Sequence, residues 1–365
     1  MKLDGLPSRS IPDRLEQFRL RLSRKGLDAY WVVKPANVRY LSGFTGEAST
    51  LLVTGERSVL VTDSRFAEEA EEAVVEEVVV RHKPMAKTVG LVCRGMGRPT
   101  VGFTARNVTY SDGHTLAKVL PQRSVMPCSD GPAEKLRLRK GREEVEAIAR
   151  ATRLQEDAFR AFREELEPGR TEKWLAGRLE WEMKKRGAED EAFDTICAVE
   201  ERASLPHAVR TERQLGEESP LLVDWGARLD GYHSDLTRVV GTGTMPQLIL
   251  DLSEVVLQAQ EAAFEKIGPG VSCADVDHAA RRVIARAGYG SRFGHSLGHG
   301  VGLEVHEAPR LAAGNDQPLL PGMVVTVEPG IYIPGEGGVR IEDLVVITGG
   351  GYERLSSLQR RPSSR

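Results

Sequence analysis

Long apolar runs are missing from this chain. None of its 365 residues belongs to a stretch approaching the ~18 apolar residues of a membrane span, and the opening MKLDGLPSRSIPDRLEQF has no apolar core of the kind found in secretory leaders. A soluble cytoplasmic protein with no membrane partner is the expectation. Cysteine is scarce: Cys93, Cys128, Cys197 and Cys273 never fall into C-x-x-C spacing, which argues against a zinc knuckle or a disulfide framework and fits buried thiols in a reducing compartment. An excess of one charge is also lacking. Lys and Arg total 50 against 53 Asp and Glu, a net charge of −3, so no basic face is available for nucleic acid.

What is present is a globular balance, 40% hydrophobic and 28% charged, over a length that suits two domains of about 100–200 residues. A helical pattern from Pro12 to Leu22 ends at Gly26, and DAYWVV reads as a buried strand. STLLVT and SVLVTD around Gly55 read as a hairpin. A helix from about Phe66, strands at VVVR and TVGF, a helix opened by Ser111 and a strand near SVMP complete a mixed α/β domain, 1–131. CSDGP breaks the pattern, and a second domain, 132–356, opens on an amphipathic helix carrying Val145, Ile148, Thr152, Phe159, Phe162 and Leu166 on one face. Two helices, a strand and a hairpin then occur twice: helices near 142–166 and 171–186 before AFDTICAV and LLVDWGARLDGYHSDLTRVVGTG, helices near 246–267 and 272–287 before MVVTVEPGIYIPGEGGVRIEDLVVIT. Such doubling predicts two similar halves enclosing a site. The polar tail, 357–365, is expected to fray.

GHSLGHGVGLEVHE, residues 294–307, concentrates three histidines, and Gly294, Gly298, Gly300 and Gly302 argue against a helix there, each costing roughly 1 kcal/mol relative to alanine. An extended or looped backbone is expected, with partners elsewhere. Asp230-Gly231 is a strong two-residue turn signal. It pairs Leu229 with Tyr232, so paired numbers sum to 461; Asp224 faces Thr237, and Asp235 lies diagonally on the same face. A five-residue loop from Pro334 to Gly338 makes the second hairpin sum to 672, setting Glu328 opposite Leu344 with Glu342 two residues away. Asp224 and Glu328 each follow an apolar run, where an acid is costly unless paired or bound to a cation. Four carboxylates and an imidazole, with His299 the natural nitrogen donor, suit two divalent ions about 3.5–4 Å apart.

VDWGA, SDLTR, HSLGHGVGLEVHE, TVEPGIY and VRIEDLVV, in this order, resemble the metal-binding segments of the pita-bread metallopeptidases, specifically the Xaa-Pro branch of aminopeptidase P and prolidase, and SGFTG and DSRF resemble the creatinase/prolidase N-terminal domain. The resemblance implies an α/β N-terminal domain followed by a pita-bread catalytic domain. It implies Asp224 on one ion, Asp235 and Glu342 bridging both, and His299 with Glu328 on the other. His207, His295 and His306 would line the substrate pocket, with His207 and His306 stabilising the tetrahedral intermediate and Glu328 carrying the proton. Arg340 would orient carboxylates or the substrate's proline end. Manganese is the expected ion, with cobalt, iron or zinc as alternatives, and a homodimer is implied by the family. The expected function is removal of the first residue from peptides with proline second. Strict Xaa-Pro dipeptide cleavage is the alternative, and a methionine aminopeptidase or a non-peptidase binding protein or amidinohydrolase is more remote. One departure stands out: AVEERASLPHA places Glu200, Glu201 and Arg202 where the family has a small, glycine-containing turn.

Overall fold

The computed structural model describes residues 3, 5–121, 124–129 and 131–364. Ser8–Arg137 forms one compact unit, and Met1–Pro7 with Leu138–Arg365 forms the other.

In the smaller unit, Ser10 caps the helix Ile11–Arg24 through a reciprocal bond with Asp13, a device worth about 1 kcal/mol. Leu15, Phe18 and Leu22 make its buried stripe. A mixed sheet runs in the order Glu77–Val80, Ser58–Thr62, Thr50–Thr54, Ala29–Val32, Val101–Thr104, Val125–Cys128. Its central strands are buried on both faces, and Val59, Val61, Leu52 and Trp31 pack against Val89 and Leu116 of the covering helices. The helix expected from Phe66 is instead two short 3-10 turns, Ser64–Phe66 and Glu69–Glu72. Glu68, Glu69, Glu71 and Glu72 would stack like charges three and four residues apart on an α-helix. The cap of Tyr110–Val119 is Thr109, not Ser111; its hydroxyl accepts the Asp112 N–H. Pro35–Ser42 and Met85–Arg94 are further helices that the sequence reading passed over. Asp130 of CSDGP lies outside the described residues.

The larger unit repeats one plan. Helices Arg142–Arg163 and Glu172–Lys185, the second capped by Thr171, back a sheet of Leu236–Gly241, Pro220–Trp225 and Ile196–Val199. Helices Gln247–Lys266 and Cys273–Arg286, the second capped by Ser272, back a sheet in the order Glu307–Leu311, Gly298–Gly300, Val324–Val327, Asp343–Thr348, Gly351–Arg354. Each half has its own hydrophobic core. Trp225 anchors the first: its ring stacks 4.2 Å from that of Phe159 and its indole N–H donates to Gln155 O. The tail does not fray. Ser363–Ser364 pairs in parallel with Val240–Gly241, the backbone N–H groups of Ser357 and Leu358 donate to the buried carboxylate of Glu156, and Arg238 donates to the carbonyls of Leu358 and Gln359. Arg365 lies outside the described residues.

Candidate metal centre

The first hairpin turns at Asp230 and Gly231, both with positive φ (50° and 71°), and its pairs sum to 461 throughout, with Leu229 opposite Tyr232 and Thr237 opposite Asp224. The second differs from expectation. Ile333 pairs with Gly337, so the loop is Pro334–Glu336 and the pairs sum to 670. The two-residue slip leaves every side chain on its original face, because strand side chains alternate with period two. Glu328 and Glu342 therefore still share a face, now directly across the hairpin.

His299 sits in a short strand, as the glycines around it foretell. A Cβ at Gly298 would lie 2.0 Å from Thr326 O and one at Gly300 2.2 Å from Ala308 O, so these two glycines let neighbouring strands close in around the histidine. Nothing lies near Gly294. The five expected ligands line one cavity of about 740 Å³, together with His207, His295, His306, Arg310 and Arg340. Ligand atoms of Asp235, His299 and Glu342 all lie within 4.8 Å of one another. His299 Nε2 is 3.6 Å from Asp235 Oδ2 and 3.4 Å from Glu328 Oε1.

The local hydrogen bonds fix how each donor is presented. His299 Nδ1 lies 3.1 Å from the Gly300 carbonyl, which can only accept, so Nδ1 carries the proton and Nε2 turns its lone pair to the carboxylates. Thr326 Oγ1 accepts from His299 N (3.0 Å) and donates to Glu328 Oε1 (3.0 Å); Thr237 Oγ1 donates to Glu342 Oε2 (2.7 Å). Arg340, only 3% exposed, donates to Thr237 Oγ1 (3.0 Å), Tyr332 OH (2.8 Å), Pro206 O (3.3 Å) and Asp224 Oδ2 (2.6 Å). Its guanidinium is committed to the protein, which favours carboxylate orientation over contact with the substrate's proline end. His295 Nε2 meets Tyr332 OH at 2.8 Å and its Nδ1 meets Ser296 O at 2.8 Å, so the ring faces the cavity with both nitrogens engaged. His207 and His306 are exposed at the cavity wall, and the His306 ring lies 4.3 Å from that of His299.

The electrostatics of this cluster suit a bound cation. Burial, then the neighbouring carboxylates, raise Asp235 and Glu342 well above the usual acid range; burial raises Glu328 to about 8. Burial, then His306, lowers His299 to about 4, so the imidazole is neutral. Asp224 Oδ1 is buried and, among the described residues, has no hydrogen-bond partner. Four carboxylates, one with a buried oxygen left open, and a neutral imidazole with its lone pair aimed at them share one buried guanidinium, that of Arg340. Hard, oxygen-preferring divalent ions fit this donor set.

Tyr332, Thr237, Thr326 and Arg310 were not singled out in the sequence. The first three were within reach, since Thr326, Glu328 and Tyr332 alternate along one face, as do Asp235 and Thr237. The Glu200 departure also has a structural account. Glu200 adopts φ 53°, a left-handed conformation costly for any residue but glycine, and its carboxylate accepts from Ser219 Oγ at 2.7 Å and Arg213 Nη2 at 2.5 Å. Among the described residues no helix is long and apolar enough to cross a membrane, and all four cysteines are free and buried.

Comparison with known proteins bears on the same regions. Residues 146–349 match the model of metallopeptidase family M24, and residues 14–139 match the creatinase/prolidase N-terminal domain. An Xaa-Pro dipeptidase from Pyrococcus furiosus is 35% identical over 352 residues, 96% of this chain and 99% of that protein. The structure of an Xaa-Pro dipeptidase from Bacillus anthracis superposes with a TM-score of 0.93 at 34% identity, over 98% of this chain and 100% of the other. That of an X-Pro aminopeptidase from Thermotoga maritima gives 0.88 at 35% identity, over 94% and 100%. The chain belongs to metallopeptidase family M24, its catalytic unit joined to a creatinase/prolidase N-terminal domain.

Proposed function

We propose that the chain is an Xaa-Pro dipeptidase with two divalent ions, manganese the expected metal. Asp224 would hold one ion, His299 and Glu328 the other, and Asp235 and Glu342 both. When bound, the ions supply an ionised water near neutral pH and a Lewis-acid contact for the scissile carbonyl. His207 and His306 donate hydrogen bonds to the carbonyl oxygen as it gains charge. Glu328 carries the proton to the leaving imide nitrogen.

The observation that carries the dipeptidase reading over the aminopeptidase one is the state of the arginines that line the cavity. Arg210 is paired with Glu180 and Asp194 and Arg340 is buried among four acceptors, whereas Arg310 is exposed and, among the described residues, has no carboxylate partner. Its field reaches Glu328 and His299. A free guanidinium beside the reacting centre suits the proline carboxylate of a dipeptide. The names of the Pyrococcus and Bacillus relatives support the same choice, and the Thermotoga relative keeps aminopeptidase action as the second reading. The manganese-loaded chain should cleave an Xaa-Pro dipeptide far faster than an Xaa-Pro-Yaa tripeptide or a pentapeptide. Comparable rates on the longer peptides would restore the aminopeptidase reading, and comparable rates on Xaa-Ala would remove the proline specificity.

A further inference from the structure

His207 is carried by irregular chain, yet that chain is tied to the protein by one buried carboxylate. Glu172 opens the helix Glu172–Lys185, where the unsatisfied N–H groups of the first turn favour negative charge, and its side chain is fully buried. One oxygen accepts Val199 N at 3.0 Å, at the start of the segment; the other accepts Thr211 N at 2.9 Å and Thr211 Oγ1 at 2.7 Å, at its end. Arg202 closes the frame. Its Nε lies 2.8 and 3.0 Å from the two Glu172 oxygens while its Nη2 donates to Val209 O at 2.6 Å, two residues beyond His207.

The second half repeats the device. Asp277, on the helix Cys273–Arg286 and fully buried, accepts Leu297 N at 3.1 Å. Arg281 donates to it from Nε (2.9 Å) and Nη2 (2.8 Å) and also to the carbonyls of Phe293 and His295, both at 2.9 Å. His306 has a counterpart too, since its neighbour Glu307 is held by Lys140 in a buried ion pair at 3.0 Å.

We infer that Glu172–Arg202 and Asp277–Arg281, the carboxylate of each on the second helix of its half, are positioning pairs that fix the backbone on which His207 and His295 reach the cavity. Arginine is required because one planar fork must serve a carboxylate and a carbonyl together, which a lysine ammonium at the end of a flexible stem cannot reproduce. The inference rests on the functional reading above for the meaning of a rate, and its tests separate the two.

Arg202→Lys keeps the charge opposite Glu172 and should keep the melting temperature and metal content of the wild type, while kcat on an Xaa-Pro dipeptide falls about tenfold or more, as displaced catalytic groups require. KM should change little. Arg202→Met should lose at least as much. Introduced into His207→Ala, either substitution should cost no further activity, because the residue it positions is gone; Arg281→Met should behave likewise in His295→Ala. An equal loss in both backgrounds, or wild-type kcat in Arg202→Lys, would overturn the inference. Ring resonances of His207 in histidine-labelled protein should broaden or double in Arg202→Lys, and unchanged resonances would likewise overturn it. If the wild-type chain cleaves no Xaa-Pro peptide, the functional reading falls while the ring resonances still decide the positioning.

Discussion

Arg340 donates to Asp224 Oδ2 at 2.6 Å, and the other oxygen of that carboxylate is buried without a partner among the described residues. The guanidinium thus selects which oxygen remains open. Arg340→Met should weaken metal binding by about 10–100-fold, the usual cost of losing an outer partner of a metal ligand. It should also destabilise the metal-free protein by about 3–5 kcal/mol, because Asp224 loses the buried guanidinium that is bonded to it. Calorimetric metal titration and urea unfolding measure the two effects; an unchanged affinity would assign Arg340 elsewhere.

Ligand and pocket roles separate by metal content. Asp235→Ala and Glu342→Ala should each weaken both ions, Asp224→Ala should leave one partly occupied, and His207→Ala should keep both while its turnover falls to a measurable residual rate. Elemental analysis after manganese loading decides, and metal loss from His207→Ala equal to that from Glu342→Ala would refute this division.

The pH dependence of the metal-free protein follows from Glu328, raised by burial from 4.5 to about 8. A raised acid pKa means that the folded state holds its proton longer than the unfolded one. Its contribution is full below 4.5 and is lost as pH rises through about 8. Well above 6.5, where even unfolded histidines are mostly neutral, His295 and His299, both lowered to about 4, add little slope. The melting temperature of chelated protein should therefore fall between about pH 7.5 and 8. Metal binding at pH 7 should release protons, seen as a buffer-dependent binding enthalpy; buffer-independent heat would contradict the burial argument.

Arg310→Gln tests the carboxylate site. Losing a charge-assisted bond costs about 1.5–3 kcal/mol, so KM for an Xaa-Pro dipeptide should rise roughly 10–100-fold while cleavage of the Xaa-Pro amide, which lacks the carboxylate, stays as in the wild type. Equal losses on both substrates would count against the contact.

The catalytic unit was legible in the sequence wherever one local signal had one solution. Asp230-Gly231 admits a single tight turn, and the register it sets carries through to Asp224 and Thr237. Proline and glycines in PGEGG admit several loops, and the wrong length was read; the shared face of Glu328 and Glu342 survived because the error was an even number of residues. Thr109 and Ser111 are both competent caps, and only packing chooses between them. Arg310 stayed hidden because a cation's importance depends on which other cations are already bonded, a property of the assembled cavity rather than of any segment. The tail was misread for a similar reason: polar composition does not disclose a buried Glu156 waiting for its backbone N–H groups.

That tail reaches the metal centre in few steps. Arg238, which holds the carbonyls of Leu358 and Gln359, also donates to Glu342 O and, at 2.7 Å, to Asp343 Oδ1, while Ser356 Oγ donates to the same Asp343 oxygen at 2.6 Å. Proteolytic trimming just before Ser357 would strip Arg238 of two acceptors and free it to shift, and with it the backbone of a ligand more than a dozen residues upstream. A nick that leaves all five proposed ligands intact in the sequence should still register as lost metal, measurable by elemental analysis of trimmed and full-length chains.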